Sequence, residues 1–387
     1  MVDAYAFGHV GYLGTKEKTK KRYLLTIGDI FIEDGNKMLR FGSDWRGCVR
    51  NCCLRIESVR VLIEVAKEKI SEAISTKLEI NSASNRFNIA DFGCSTGPNT
   101  FLAVQNIIDA VGQKYRKKTQ KNPDDNIEFQ VLFNDHSNND FNTLFQTLPP
   151  TKGYFVAGVP GSFFGRVLPR DSLHVGHCSY SLHWLSQVPK GIADPNSPAW
   201  NKDIHCTGFS EEVAEAYLDQ FKVDMGSFLK ARGEELVSGG LLFLLGSCVP
   251  DGVKMSETMK GMLLDHLGNC LNDVAKEGLI NQEELDSFNF PIYPAHVAEF
   301  KSVIEDNGCF TIEAFEKISH ANEEFPLDPE FLATSNKVTF GGVIESRFGK
   351  EALERTNELY EKKCPEILPE LANAKSGMQF FIMLRRN

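Results

Sequence analysis

The sequence predicts an α/β protein built on a mainly parallel sheet. Three observations point there. Five apolar stretches of strand length alternate with helical patterns. The first of them, Phe87 to Phe92, runs into a turn of small residues, Gly93-Cys94-Ser95-Thr96-Gly97-Pro98, and then into a helical pattern with Val104, Ile107, Ile108 and Val111 on one face. Buried strand, glycine turn and helix form the opening unit of nucleotide-binding α/β domains. Finally, two late apolar runs, Phe310 to Phe315 and Gln379 to Leu384, suit an antiparallel pair at one edge.

Taken in order, residues 1–60 do not read like the rest. Lys16 to Arg22 is a basic run suited to a solvated surface, and Ile27 to Phe41 reads as a hairpin turning at Asp34-Gly35. From Val59 the pattern is helical, with Leu62, Ile63, Ala66, Ile70, Ala73 and Ile74 on one face. After the glycine turn and its helix, Tyr115 to Asn126 is charged, contains a proline and reads as a loop. Ile127, Phe129, Val131 and Phe133 alternate along a second strand that ends at Asn134-Asp135. Tyr154 to Val159 and Leu173 to Leu182 are the third and fourth. Phe209 to Leu229 is an amphipathic helix with Ser210 as its N-cap and Glu211 and Glu212 in its first turn. Ser238-Gly239-Gly240 reads as a break ahead of a fifth strand, Leu241 to Leu245. Met255 to Glu284 is mostly helical, and Phe325 to Ala374 is helical or irregular. The expected organisation is a divergent segment (1–60), a cofactor-binding α/β domain (61–250) and a helical cap with final strands returning to the sheet (251–387).

A formal net charge of -10 argues against nucleic acid as a partner. No run is long and apolar enough to span a membrane. The first residues lack a basic segment followed by an apolar core, so no secretory signal is expected. Ten cysteines are scattered, with Cys48, Cys52 and Cys53 the one cluster and no second Cys or His pair at metal spacing beside them. Reduced thiols in a cytoplasmic protein are the simplest account.

The chemistry concentrates at strand ends. The turn reads D-x-G-x-x-x-G from Asp91, not the G-x-G-x-x-G dinucleotide fingerprint. An acidic residue just before such a turn suits a cofactor that carries a cationic amino group and has no pyrophosphate. Asp135, ending the second strand, stands where such folds bind ribose hydroxyls. It lies farther from Gly93 than the spacing of about 20 residues usual for NAD, which counts against a standard dehydrogenase.

From about Leu62 onward the chain resembles the plant SABATH methyltransferases. The resemblance rests on five stretches in order: ADFGCSTGPNT from Ala90, FNDHSNNDFN from Phe133, VPGSFFGRVLP from Val159, SYSLHWLSQVP from Ser179 and EELDSFNFPIY from Glu283. It implies a class I methyltransferase fold, Rossmann-like with a seven-stranded sheet and a helical substrate cap, and S-adenosylmethionine as cofactor. The family's cofactor contacts fall on Cys94, Asn99, Asp135, His136, Ser162, Phe163, Cys178, Ser179 and Tyr180. Asp135 would hold the ribose and Phe163 would lie against the adenine. His183 and Trp184 match the pair that orients the substrate, and both offer ring N–H donors. Asn201, Asp286, Phe288 and Asn289 match positions assigned to magnesium; Asp286-Ser287 reads equally well as a turn or cap. The family's opening tyrosine motif and following glutamine are not matched: counting back, they fall near Cys52 and Val59.

The expected reaction is methylation of the carboxylate of a small, largely apolar plant acid. N-methylation of a heterocycle, or a cofactor-binding protein with impaired catalysis, are the alternatives. The expected partner is the small carboxylic acid, and a homodimer is compatible with the resemblance.

Overall fold

The computed structural model describes residues 23–26, 29–34, 37–41, 49–80, 85–123, 126–150, 153–205, 210–318, 328–375 and 377–387, with side chains described from 62 onward. The chain divides into two units, Met1–Arg55 and Ile56–Asn387. The first holds an antiparallel three-stranded sheet, β1 (Tyr23–Thr26), β2 (Asp29–Asp34) and β3 (Lys37–Phe41). Asp34 pairs with Lys37, so the expected hairpin is present, with an additional strand ahead of it. The basic run from Lys16 to Arg22 lies outside the described residues, as do the side chains of Cys48, Cys52, Cys53 and Val59.

Helix α1 (Val49–Lys77) starts ten residues before the first apolar-periodic position. Strand β4 (Arg86–Phe92) follows, then α2 (Pro98–Thr119), β5 (Glu128–Asp135), α3 (Phe141–Gln146), β6 (Tyr154–Pro160), β7 (Leu173–Ser179), α4 (Glu211–Glu235) and β8 (Leu236–Cys248). Beyond these lie α5 (Met259–Lys276), α6 (Gln282–Asp286), α7 (Val297–Asn307), β9 (Phe310–Ile318), α8 (Pro329–Phe348), α9 (Lys350–Leu371) and β10 (Met378–Arg386).

The seven-stranded sheet runs in the order β6-β5-β4-β7-β8-β10-β9. Strands β4 to β8 are parallel, and β10 is antiparallel to both β8 and β9. The strand order reverses between β4 and β7, and α/β sheets bind ligands at the carboxyl ends of strands beside such a reversal. The central strands read as continuous apolar runs because both faces are buried. Phe87 and Ile89 of β4, with Leu241, Phe243 and Leu245 of β8, pack on the side of α1 and α2; Ala90 and Phe92, with Leu242 and Leu244, pack on the side of α4 and α7. A third cluster joins α5, α6, α8 and α9 around Leu267, Leu271, Phe290 and Tyr360.

Two expectations are corrected. The basic stretch from Tyr115 is not loop but the last turn of α2: Tyr115 is buried, Arg116 to Lys118 occupy the solvent side, and Gln120 closes the helix in a left-handed conformation (φ 59°). Cations there also favour the negative end of the helix dipole. Gly239 and Gly240 do not break the chain ahead of β8. They lie within it, Gly239 at φ 75°, where the pairing jumps from Leu173–Leu236 to Val175–Leu241. This is a bulge, for which glycine is suited.

Candidate active site

The carboxyl end of β5 ties two neighbouring loops together. The Asn134 carbonyl accepts from the backbone N–H of Gly93 (2.8 Å) and Cys94 (3.0 Å). The Asn134 amide donates to the carbonyls of Val159 (2.7 Å) and Gly161 (2.9 Å). The Asp135 carboxylate accepts from Ser95 N–H and His136 N–H, each at 2.7 Å, and its carbonyl accepts from Gly161 N–H at 2.9 Å. Buried backbone donors need such partners. Here the backbone carbonyls and side chains of Asn134 and Asp135 together supply partners for them, so the loops after β4 and β6 are fixed to the strand between them.

Gly93 is required where it stands. Its φ is 78°, and a Cβ on it would lie 2.0 Å from Ser181 Oγ and 3.7 Å from a ring carbon of Phe163. Ser95 is also left-handed (φ 52°). Helix α2 then begins with Gly97 as N-cap and Pro98 in its first turn, and Asn99 is half-buried beside it.

Asp91, the carboxylate that sequence reasoning aimed at a cationic amino group, is turned inward instead. It is 3% exposed and accepts from the Thr100 hydroxyl and from His177 Nδ1 at 2.7 Å. A buried carboxylate left without partners is costly, and these two side chains satisfy it. His177 Nε2 has no partner among the described residues. Thr100 and His177 were missed; the nine-residue interval from Asp91 to Thr100 spans one turn and one helical turn, a signal only in retrospect.

Other expected cofactor residues gather at neighbouring strand ends. Cys94 and Cys178 are buried, and burial pushes both thiols well above the usual range, so they stay neutral. Burial also raises the Asp135 carboxyl, while the Ser95 and His136 N–H groups oppose the shift. Ser162 is exposed and its hydroxyl accepts from Phe164 N–H (3.3 Å). The Phe163 ring stands edge-on to Phe228, centroids 5.8 Å apart. His136 is exposed at the surface. Ser179 Oγ is buried with no partner among the described residues, a free polar atom that suits a polar ligand. Tyr180 is left-handed (φ 56°), and its hydroxyl donates to Gln379, which brings β10 to the site.

His183 and Trp184 follow at once. The Ser181 hydroxyl donates to the carbonyl of Ser179 (3.1 Å), and Trp184 N–H donates to Ser181 carbonyl (3.1 Å). The pair is therefore seated one turn from the residue that touches Gly93. Tyr293 N–H donates to His183 carbonyl (2.8 Å), and the Trp184 ring lies 6.1 Å from Phe340 of α8. Asp224 of α4, also missed, holds the next segment by accepting from Ser186 N–H and hydroxyl, both at 2.7 Å.

The expected magnesium residues are held by hydrogen bonds and packing within the protein. Asn201 and Asn289 are buried against each other: the Asn201 amide donates to Asn289 Oδ1 (2.7 Å), which also accepts from the Tyr217 hydroxyl (3.3 Å). Asn201 Oδ1 accepts from Asp203 N–H (3.2 Å). Asp286 ends α6, where Gln282 (2.8 Å) and Lys202 (3.0 Å) hold its carboxyl below the usual range. Phe288 packs its ring between Phe290 and Phe348. Magnesium demands free hard oxygens in near-octahedral array. The side-chain oxygens of Asn201, Asn289 and Asp286 each accept at least one hydrogen bond within the protein. Among the described residues no group of three or more His, Cys, Asp or Glu could hold a metal.

A family model described as SAM dependent carboxyl methyltransferase matches residues 55–387. Farnesoic acid carboxyl-O-methyltransferase of Arabidopsis thaliana is 62% identical over 326 residues, covering 84% of this chain and 93% of that protein. Paraxanthine methyltransferase 2 of the same plant is 56% identical over 328 residues, covering 85% and 93%. The solved structure of a loganic acid methyltransferase with SAH superimposes with a TM-score of 0.83 at 42% identity, covering 90% of this chain and 98% of that one.

Proposed function

The chain belongs to the family of SAM-dependent carboxyl methyltransferases, and from that premise we propose that it esterifies a small, largely apolar carboxylic acid at the carboxyl ends of β4 to β7. One observation carries the reading. Asn134 and Asp135 bind the loops after β4 and β6 into a single surface that includes Gly93, Cys94, Ser162 and Phe163.

When bound, S-adenosylmethionine supplies a methyl group on a positively charged sulfur. Asp135, Asn99, His136, Ser162, Phe163 and Ser179 would hold it, with Cys94, Cys178 and Tyr180 as neutral walls. His183 and Trp184 are assigned to orient the acid through their ring N–H groups. A carboxylate titrates near ~4, so at neutral pH no residue need remove a proton from it. The residues contribute alignment, which requires the reacting atoms within about 3–3.5 Å. Within residues 251–387, helices α5, α6, α8 and α9 supply the cap, while β9 and β10 return to the sheet. Phe340 of α8 brings its ring 6.1 Å from that of Trp184, and an aromatic surface there favours an apolar acid. Cytoplasmic residence is part of the proposal, on the sequence reading of reduced thiols; among the described residues no helix is long and apolar enough to cross a membrane.

The relative named for farnesoic acid makes a long unsaturated acid the first substrate to test, and the one named for paraxanthine makes N-methylation the competing reading. A panel of apolar acids and xanthines, incubated with methyl-labelled donor and read by mass spectrometry, separates them. A labelled methyl ester supports the proposal. Label on a ring nitrogen, with every acid unmodified, would replace it.

A further inference from the structure

Near the end of α4, Arg232 and Glu235 form an ion pair whose two side chains are each 0% exposed, with Nε to Oε2 at 2.7 Å and Nη2 to Oε1 at 2.9 Å. The sequence of this turn, Ala231-Arg-Gly-Glu-Glu235, reads as an ordinary charged helix end, and nothing assigned so far uses the pair.

What the pair touches is specific. Arg232 donates from Nη1 to the carbonyl of Phe163 (2.8 Å) and from Nη2 to the carbonyl of Gly165 (3.0 Å). Glu235 Oε1 accepts from the backbone N–H of Val167 (2.6 Å) and of Leu168 (2.9 Å). Four backbone groups of the loop after β6 therefore end on two buried side chains. On its other face the guanidinium lies over the ring of Phe92, 4.1 Å from its centroid, and 5.1 Å from that of Phe228. Phe92 immediately precedes Gly93, and Phe228 is the ring against which Phe163 stands edge-on. One cation thus joins the end of β4 to the loop after β6.

Stability alone does not call for this arrangement. Removing two charges from water is expensive, and replacing a buried ion pair with apolar residues of similar volume is often neutral or stabilising. Apolar side chains, however, could not serve two carbonyls and two N–H groups in a loop that has no ladder to pair with. The planar guanidinium serves both carbonyls and the carboxylate at once, which an ammonium cannot.

We propose that Arg232 and Glu235 are positioning residues: they fix the loop from Phe163 to Leu168 so that the Phe163 ring presents one surface, beside Gly93, to the adenine of the cofactor. The proposal rests on the cofactor reading above. The pair acts through Phe163 and touches neither the acid nor the transferred methyl group.

The test replaces the whole pair, Arg232→Met with Glu235→Leu, and measures melting temperature, Kd for S-adenosylhomocysteine by calorimetry, and kcat with each KM. The expected result is a variant that melts lower but stays folded at the assay temperature, a Kd and cofactor KM raised about 10-fold or more, and kcat at saturation and acid KM within about 3-fold of the parent. Combined with Phe163→Ala, the pair replacement should weaken binding no further than Phe163→Ala alone, since coupled residues are non-additive. Should the double replacement not fold, Arg232→Lys, which keeps the charge and loses the fork, carries the same measurements. A cofactor Kd unchanged in the folded variant, or losses that add in full with Phe163→Ala, would overturn the proposal while leaving the methyltransferase reading intact. A parent protein that fails to bind S-adenosylhomocysteine would overturn both, and is seen before any variant is made.

Discussion

Asp135→Ala tests the cofactor site most directly. In the folded chain each carboxylate oxygen already accepts one backbone N–H, from Ser95 and from His136, both at 2.7 Å. Each oxygen keeps acceptor capacity for a ribose hydroxyl. Alanine removes those charge-assisted bonds, each class worth about 1.5–3 kcal/mol, or roughly 10- to 100-fold in Kd. It also frees two N–H donors at the rim of the site, so the loss should lie in the upper part of that range. Asp135→Asn keeps one acceptor but turns its amide N–H toward a backbone donor, and should recover only part of the loss. The carboxyl is raised above its ordinary 3.8, mainly by burial. Two pH effects follow, with opposite signs. Affinity for S-adenosylhomocysteine should fall on acidification at a pH higher than an ordinary aspartate would give. Stability of the unliganded protein should fall as pH rises from 3.8 through the raised value, because there the folded state binds more protons than the unfolded one; Asp135→Asn should remove that component. Calorimetric titration over a pH series reads the first and thermal unfolding the second. Unchanged affinity in Asp135→Ala would take Asp135 out of the cofactor site.

Trp184→Ala should alter the ranking of acid substrates more than Kd for S-adenosylhomocysteine; equal losses for every acid, matched in cofactor binding, would make Trp184 merely structural. The His296 imidazole is held above its ordinary 6.5, chiefly by its hydrogen bond with Glu299. That stabilisation is full below 6.5 and lost as pH rises through the raised value, so melting temperature should decline across this window in the parent and decline less in His296→Gln. Should Asp286 hold magnesium, millimolar magnesium raises the melting temperature and Asp286→Asn abolishes the rise; no shift in the parent would take the cation away from Asp286. Because the resemblance finds no match for the family's opening Tyr motif and Gln, expected by counting back near Cys52 and Val59, the native chain is predicted to bind cofactor yet turn over slowly. Grafting a Tyr- and Gln-bearing segment ahead of Leu62 should raise kcat about 10- to 100-fold, the rate equivalent of one charge-assisted hydrogen bond; native turnover equal to that of the graft would refute the idea.

The strands were legible because their sequence reports burial on both faces: Leu241 to Leu245 is apolar at every position and Phe87 to Phe92 at all but Asn88 and Asp91. Strand neighbours were less so. That Phe310 and Gln379 head an antiparallel pair could be read, but not that β10 enters between β8 and β9, since apolar composition carries no pairing information. Charged residues misled most. Arg116 to Lys118 suggested a loop although they cover the outside of a helix, and Arg232 and Glu235 gave no hint of burial, because a charge is hidden only when distant backbone groups meet it. In the site, Asp135 could be placed from its position at a strand end. Asn134 could not, although it binds two loops, since its partners at 159 and 161 are set by strand order. Asp91 was noticed for its charge and assigned the wrong surroundings.

The insertion of β10 imposes an order on synthesis. Strand β9 ends at Ile318, yet it reaches the sheet only through β10, which begins at Met378. Between the emergence of the two, the far edge of β8 has no neighbour and β9 has no docking place. At a translation rate of about 5–20 residues per second, that interval lasts on the order of several seconds. During it the nascent chain carries open strand edges able to pair with those of another ribosome's product. Slowing elongation over this interval should lower soluble yield without changing the finished enzyme, and trigger factor-like holdases should matter most there.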